Sequence, residues 1–516
     1  MLQAMEQMFH TKLFWITVII LGFYTYLKFV VYNYWNKKGI PHDAPSIPFG
    51  NTVPVVTGKL SVGNLLKESY EKFKKLPFHG VYIFYKPMLV INDPELIRQI
   101  LIKDFNKFRD RGLYFNEKID PLSGHLFFLP GEKWRRLRAK LSPIFTSGKL
   151  KQMFPLLKEI GDDLVKVCDK TIDKDDVIEL KSMIGRYTAD TISSTAFGFN
   201  CKSLDNPENE FKRHLLMVFD QSPLKNALAF VPIVLDVLRI PFTPYEVIRF
   251  FSKLFEDMVN QRQQSNVVRK DFVNLLMQLM DKGILEEDDK STQNGSSKDS
   301  NNEKLSLVQA QAQAFVFFVA GYETTSSTIT YCLYELAMNP DIQEKVHEEI
   351  DEVCSKPGGI TYERVMNEFE YLHMVFCETL RKHPSLAFLN RVCIEDYNIP
   401  NSNVTLEKGT GVIVPVSGLQ RDPNFFPDPD KFDPMRFSKD NIAARNPYVY
   451  LPFGDGPRVC IGTRFGHLQS KIALISVLHN FKFSACPKTS EIVYSKRALV
   501  QAPEGGVYVR MERRKK

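Results

Sequence analysis

The residues best placed to do chemistry lie in LPFGDGPRVCIGTRFGHLQ, residues 451–469. Cys460 stands at its centre, with Phe453, Gly456 and Arg458 before it and Gly462 after it. Beyond Gly462, apolar residues recur at helical spacing (Phe465, Leu468, Ile472, Leu474, Val477, Leu478), so the cysteine feeds a helix N-terminus. Free N–H groups and the helix dipole favour thiolate over thiol there. A thiolate serves as nucleophile or as metal ligand, and its neighbours decide between the two. Gly456 and Gly462 let a flat, bulky group approach the backbone. Phe453 offers an aromatic wall, and Arg458 can pair with a carboxylate. Together these describe a haem socket in which cysteine ligates the iron. The plain alternative is a buried structural cysteine beside a glycine-rich turn. A cysteine hydrolase pairing Cys460 with His467 has no third group to orient the histidine.

Three more constellations need elements to carry them. The stretch LVQAQAQAFVFFVAGYETTSSTITYCLYELAMNP, 307–340, is apolar nearly all round at Phe315–Ala320 and so reads as a buried helix. Ala320-Gly321 then removes bulk, and Glu323-Thr324-Thr325 brings polar groups inside. A groove for a diatomic ligand, with Thr324 aided by Glu323 steering protons, accounts for this. A kinked core helix with satisfied hydroxyls accounts for it too. Trp134 and Arg138, four apart, share a helical face that suits a haem propionate, or else a guanidinium stacked on a surface indole. Glu378 and Arg381 form an i,i+3 pair beside Val375, Phe376 and Leu380. If buried, that pair needs further hydrogen bonds, which Arg436 of FDPMRF can supply.

The chain that must position these groups has 516 residues, 44% hydrophobic and 25% charged, enough for a large core. Its net charge of +7 is too mild and too evenly spread for a nucleic-acid partner. Eight cysteines without a C-x-x-C pair suggest neither zinc nor a disulfide scaffold. Residues 13–34 are long and apolar enough to span a bilayer, with Lys28, Lys37 and Lys38 placing the bulk of the protein in the cytosol. No small-residue cleavage site follows, so residues 1–34 read as an uncleaved anchor and 35–50 as a proline-rich, stiff connector. Residues 51–516 read as one domain. Two short strands are expected in 80–92, then a helix capped by Asp93 with Pro94 at its first position. The turn-rich stretch 109–131 is either a pocket-lining or a surface loop. The apolar stretch 214–252 is core by default, with lid and membrane contact as alternatives. Residues 286–304 are low-complexity and polar, with a glycosylation sequon at Asn294 and another at Asn403 that a cytosolic orientation leaves unused. GGVYVRMER reads as a closing strand.

The pattern F-x-x-G-x-R-x-C-x-G at Phe453, Gly456, Arg458, Cys460 and Gly462 resembles the haem signature of the cytochrome P450 family. A-G-x-E-T-T at Ala320–Thr325 resembles its oxygen-activation motif, and W-x-x-x-R at Trp134 and Arg138 its propionate site. Glu378, Arg381 and Arg436 resemble its E-x-x-R and P-E-R-F elements, with Met435 in place of the glutamate. Arg391 stands where the family has another propionate arginine, and Arg111 is a further candidate. These motifs run in the family's order and resemble insect microsomal members. The resemblance implies a mainly α cytochrome P450 fold with a small β region, preceded by one transmembrane helix. It implies haem b ligated by Cys460, Thr324 and Glu323 as catalytic residues, and Glu378, Arg381 and Arg436 as architecture. The implied activity is insertion of one oxygen atom from O2 into small apolar substrates such as plant toxins, insecticides, lipids or hormones. Phe115, Phe127, Phe315, Phe318, Leu386, Phe388 and Leu499 are expected to line the pocket. No nicotinamide or flavin fingerprint is present, so electrons are expected from NADPH–cytochrome P450 reductase, with cytochrome b5 as a second donor. Lys133, Arg135, Arg136 and Arg464 form the expected docking patch. The implied location is the cytosolic face of the endoplasmic reticulum membrane. A haem-thiolate isomerase or dehydratase acting on peroxides is the alternative activity; the Glu323-Thr324 pair argues against it.

Overall fold

The computed structural model describes residues 2–199, 201–206, 210–265, 271–283 and 303–515. The polar stretch 286–302, with Asn294, lies outside them. An N-terminal helix, Leu2–Tyr26, continues through a wider turn at Leu27–Val31. Leu13, Phe14, Ile19 and Leu21 on it are all exposed. The span His10–Lys37 is long and apolar enough to cross a membrane.

The chain then docks at once. Leu27, Tyr32 and Trp35 are buried. Trp35 donates from Nε1 to Val81 O at 3.3 Å and lies flat over Gly80, where a Cβ would come within 2.5 Å of its ring. Tyr82 Oη accepts from Trp35 N and donates to Tyr32 O, both at 3.1 Å. The proline-rich stretch 35–50 therefore runs along a sheet rather than away from the globule, pairing at His42 with Gly80 and at Gly50 with Ile83.

That sheet has four strands in the order Phe78–Ile83, Lys86–Ile91, Gly411–Val414, Leu389–Val392. The first pair is antiparallel, the central pair parallel and the last antiparallel, with Arg391 opposite Val412. Asp93 caps the following helix, accepting from Leu96 N at 2.7 Å. A second sheet joins Val177–Glu179, the closing strand Tyr508–Arg513 and Phe481–Ser484.

Everything else described is mainly helical and is built around one long helix, Leu307–Met338. Ser306 and Gln309 form a capping box at its start. Its apolar character on every side is explained by its neighbours. The Leu180–Ile192 helix packs on one face, and Thr463–Asn480 and Glu370–Lys382 pack on others. Gly321 permits the first approach, since a Cβ there would sit 2.3 Å from Ile192 Cδ1. Phe315 and Phe318 turn into an aromatic cluster with Phe211 and Phe251. The stretch 214–252 divides: Leu215, Val247 and Phe251 are core, whereas Ile233, Val237, Leu238 and Tyr245 are exposed.

Candidate active site

A cavity of about 290 Å³ lies between the long helix and the helix Thr463–Asn480. Cys460 is on its wall. The loop before the sulphur is closed by Cys460 N donating to Phe453 O at 2.9 Å. Gly456, at φ 72°, makes the turn, and a Cβ there would lie 2.0 Å from Leu101 O. Gly456 itself does not line the cavity. Gly462 does, with ordinary backbone, and its missing side chain leaves the floor beside the sulphur open. Cys460 is exposed, and it lines this cavity. Burial pushes its thiol up, against the Gly462 N–H, the Thr463 hydroxyl and the charges of Arg138 and Arg111. Burial thus opposes the helix N-terminus at this sulphur, and a bound cation would favour the thiolate.

Four guanidiniums converge on the same cavity. Arg458 stacks 4.4 Å over Trp134 and donates to Leu129 O at 2.6 Å. Arg138, one turn on from Trp134, donates to Val459 O at 3.0 Å. Arg111 lies 4.1 Å over Phe127 and donates to its carbonyl at 3.3 Å. Arg391 donates to Asn390 O at 2.8 Å. Burial, and then the neighbouring arginines, draw Arg458 down to about 9. Burial alone draws Arg391 down to about 10. The Nε–H groups of Arg391 and Arg458 are buried without partners, and no carboxylate is among the described lining residues. Buried cations so arranged call for an anion. The donor set suits a flat group with two carboxylates at its edge and a metal at its centre.

Across the cavity, Val316, Ala320 and Thr324 present one stripe of the long helix. Thr324 Oγ1 donates back to Ala320 O at 2.5 Å. Glu323 does not line the cavity. It is 2% exposed and turned towards the neighbouring helix, where its Oε1 accepts from Lys181 Nζ at 2.6 Å and Ser327 Oγ at 3.0 Å. Lys181 also donates to Ser326 Oγ at 2.6 Å and keeps a small solvent-facing edge. Phe127, Leu386 and Phe388 line the cavity, as do Val316 and Phe317. Phe115, Phe315, Phe318 and Leu499 do not, which corrects the expected lining. The 109–131 loop is a pocket wall, clamped by Gln313, whose amide accepts from Leu126 N at 2.9 Å and donates to Gly124 O at 3.0 Å.

Glu378 and Arg381 sit on the opposite side of their helix from Phe376 and Leu380, which face the cavity. Both are fully buried and joined by two bonds of 2.7 and 2.9 Å. Arg381 also donates to Gln420 O at 2.9 Å, and Asp433 N donates to Glu378 at 2.9 Å. Arg436 Nε stands 3.4 Å from Glu378, an ion pair whose alignment is too poor for a hydrogen bond. Met435 is exposed beside it.

A mainly helical chain wrapped on one long helix, with a cysteine loop and an arginine-ringed slot beside it, defines a class. The Cytochrome P450 family profile matches residues 44–509, and the chain belongs to that family. It is a cytochrome P450 monooxygenase, and the family's thiolate-ligated haem, with its two propionates, matches the donor set above. The chain is 40% identical over 507 residues to probable cytochrome P450 6a14 of Drosophila melanogaster, covering 96% of this chain and 98% of the relative. It is 39% identical over 513 residues to cytochrome P450 6a2 of the same fly, covering 97% and 99%.

Proposed function

We propose that this cavity holds haem through Cys460 and the four arginines and oxidises small apolar compounds, xenobiotics or endogenous lipids, at its Phe127–Phe388 end. The observation that carries the reading is the ring of guanidiniums without a carboxylate, facing a lone cysteine sulphur across one slot. Haem bound there supplies the oxidising chemistry, which uses O2, two electrons and two protons to place one oxygen atom in the substrate and one in water. The chain does the rest. Cys460 Sγ ligates the metal. Arg111, Arg138, Arg391 and Arg458 hold the carboxylates, with Trp134 backing Arg458. Phe127, Leu386 and Phe388 exclude water and orient an apolar substrate. Thr324 Oγ1 delivers protons into the cavity after turning from Ala320 O. Glu323 receives them from solvent through Lys181 Nζ and the Ser326 and Ser327 hydroxyls. Glu378, Arg381 and Arg436 keep the Glu370–Lys382 helix in register behind the slot.

Electrons reach this site from NADPH–cytochrome P450 reductase, with cytochrome b5 as a second donor, at the exposed face of Lys133, Arg135, Arg136 and Arg464. The N-terminal helix anchors residues 51–516 to the cytosolic face of the endoplasmic reticulum membrane. The test is Cys460→Ser. The unaltered protein, reduced and exposed to carbon monoxide, should give the red-shifted band of a thiolate-bound haem, and the variant should lose it entirely. A variant that keeps the band removes Cys460 from the role of ligand.

A further inference from the structure

Phe388 lines two cavities. Behind it, away from Cys460, lies a second space of about 20 Å³, room for one water-sized group. Asn226 also lines this space and is 2% exposed. Its Nδ2 donates to Arg497 O at 2.9 Å, but its Oδ1 is buried with no donor. Lys496 lines this space as well, while Tyr494 is already engaged. Tyr494 Oη pairs with His383 Nδ1 at 2.7 Å, and His383 Nε2 pairs with Glu335 at 2.7 Å. Ser61 Oγ accepts from Asn64 N at 3.1 Å, and Ser495 Oγ from Arg497 N at 3.2 Å. A buried carbonyl oxygen without a donor is costly, and a ligand that supplies the donor recovers that cost. Phe388 is the residue common to both linings, and its ring centroid lies 5.8 Å from that of Phe230.

We propose that this second space is a tail subsite of the substrate cavity. An elongated apolar substrate passes Phe388 and sets a terminal hydroxyl or N–H on Asn226 Oδ1. The proposal rests on reading the main cavity as the substrate site. It selects substrates by the distance between the oxidised carbon and a distal hydrogen-bond donor, and not by apolar bulk alone.

The test uses the full-chain holoprotein in detergent and a graded series of 1-alkylimidazoles, each paired with its ω-hydroxyl twin. The imidazole shifts the haem absorption band, and the readout is the ratio of the two dissociation constants, methyl over hydroxyl. In the unaltered protein the ratio should pass through a maximum at one chain length, about tenfold above its value for shorter chains. Asn226→Leu should abolish the maximum. Phe388→Trp, which blocks the passage and leaves Asn226 bonded to Arg497, should abolish it as well. A ratio that is flat with length in the unaltered protein overturns the subsite, and so does a maximum that survives either substitution. Should the imidazoles fail to shift the band at all, the substrate-cavity reading falls and the subsite falls with it.

Discussion

Arg391→Met should push the haem-free and haem-loaded proteins in opposite directions. Arg391 is 2% exposed, and burial draws it down from the ordinary guanidinium range to about 10. That drop is worth about 3 kcal/mol against the charged form. Because the folded value lies below the unfolded one, the penalty is complete at neutral pH and lifts as pH rises above about 10. Methionine keeps the apolar stem and gives up the bond to Asn390 O, worth about 1 kcal/mol. Haem-free protein should therefore gain about 2 kcal/mol at neutral pH. In the loaded protein the same change removes a charge-assisted carboxylate partner worth about 1.5–3 kcal/mol, so haem should leave about tenfold to a hundredfold faster. Urea titration of haem-free protein, followed by the fluorescence of its three tryptophans, measures the first effect. Haem transfer to excess apomyoglobin measures the second. A change of the same sign in both preparations refutes the account of the arginine ring.

Lys181→Met leaves Glu323 buried without its cation, so product formed per electron pair should fall about tenfold or more, with peroxide in its place; Lys181→Arg should restore most of it. Gly321→Ala drives a methyl against Ile192 Cδ1 and should cost about 1–3 kcal/mol by thermal unfolding. Ile192→Val deletes that same atom, so the double variant should be more stable than the sum of the two predicts. Deleting residues 2–26 should weaken membrane association and leave the fold intact. Extending the deletion through Trp35 should cost about 3–5 kcal/mol more, because that indole is wholly buried against Gly80 and Val81.

Local chemistry was legible and long-range partnership was not. The capped helix at Asp93, the hairpin strands and the closing strand follow from short-range rules, and each is present. Trp134 and Arg138 share a face because helical geometry demands it. The pocket wall was harder. Phe315 and Phe318 lie in a helix that is apolar on every side, so periodicity names no face, and the cavity falls to Val316 and Phe317 instead. Lys181 could not be paired with Glu323 from sequence, since the two meet only when separate helices pack. Its one signal is a lysine beside Leu180 and ahead of Met183 and Ile184 in a mostly buried helix. The glycines flanking Cys460 looked alike, yet one turns the chain against Leu101 and the other clears the floor. Whether the thiol is acidic depends on how deeply it is enclosed, which no local pattern records.

The turning of Glu323 away from the cavity has an evolutionary side. Its contacts are to Lys181, Ser326 and Ser327, none of which lines the chamber where substrates sit. Walls such as Phe127, Leu386 and Phe388 can then change to suit other ligands while the acid and its lysine stay as they are. The residues that shape the chamber and the buried acid with its lysine are thus separate loci, and a mutation at one need not be offset at the other.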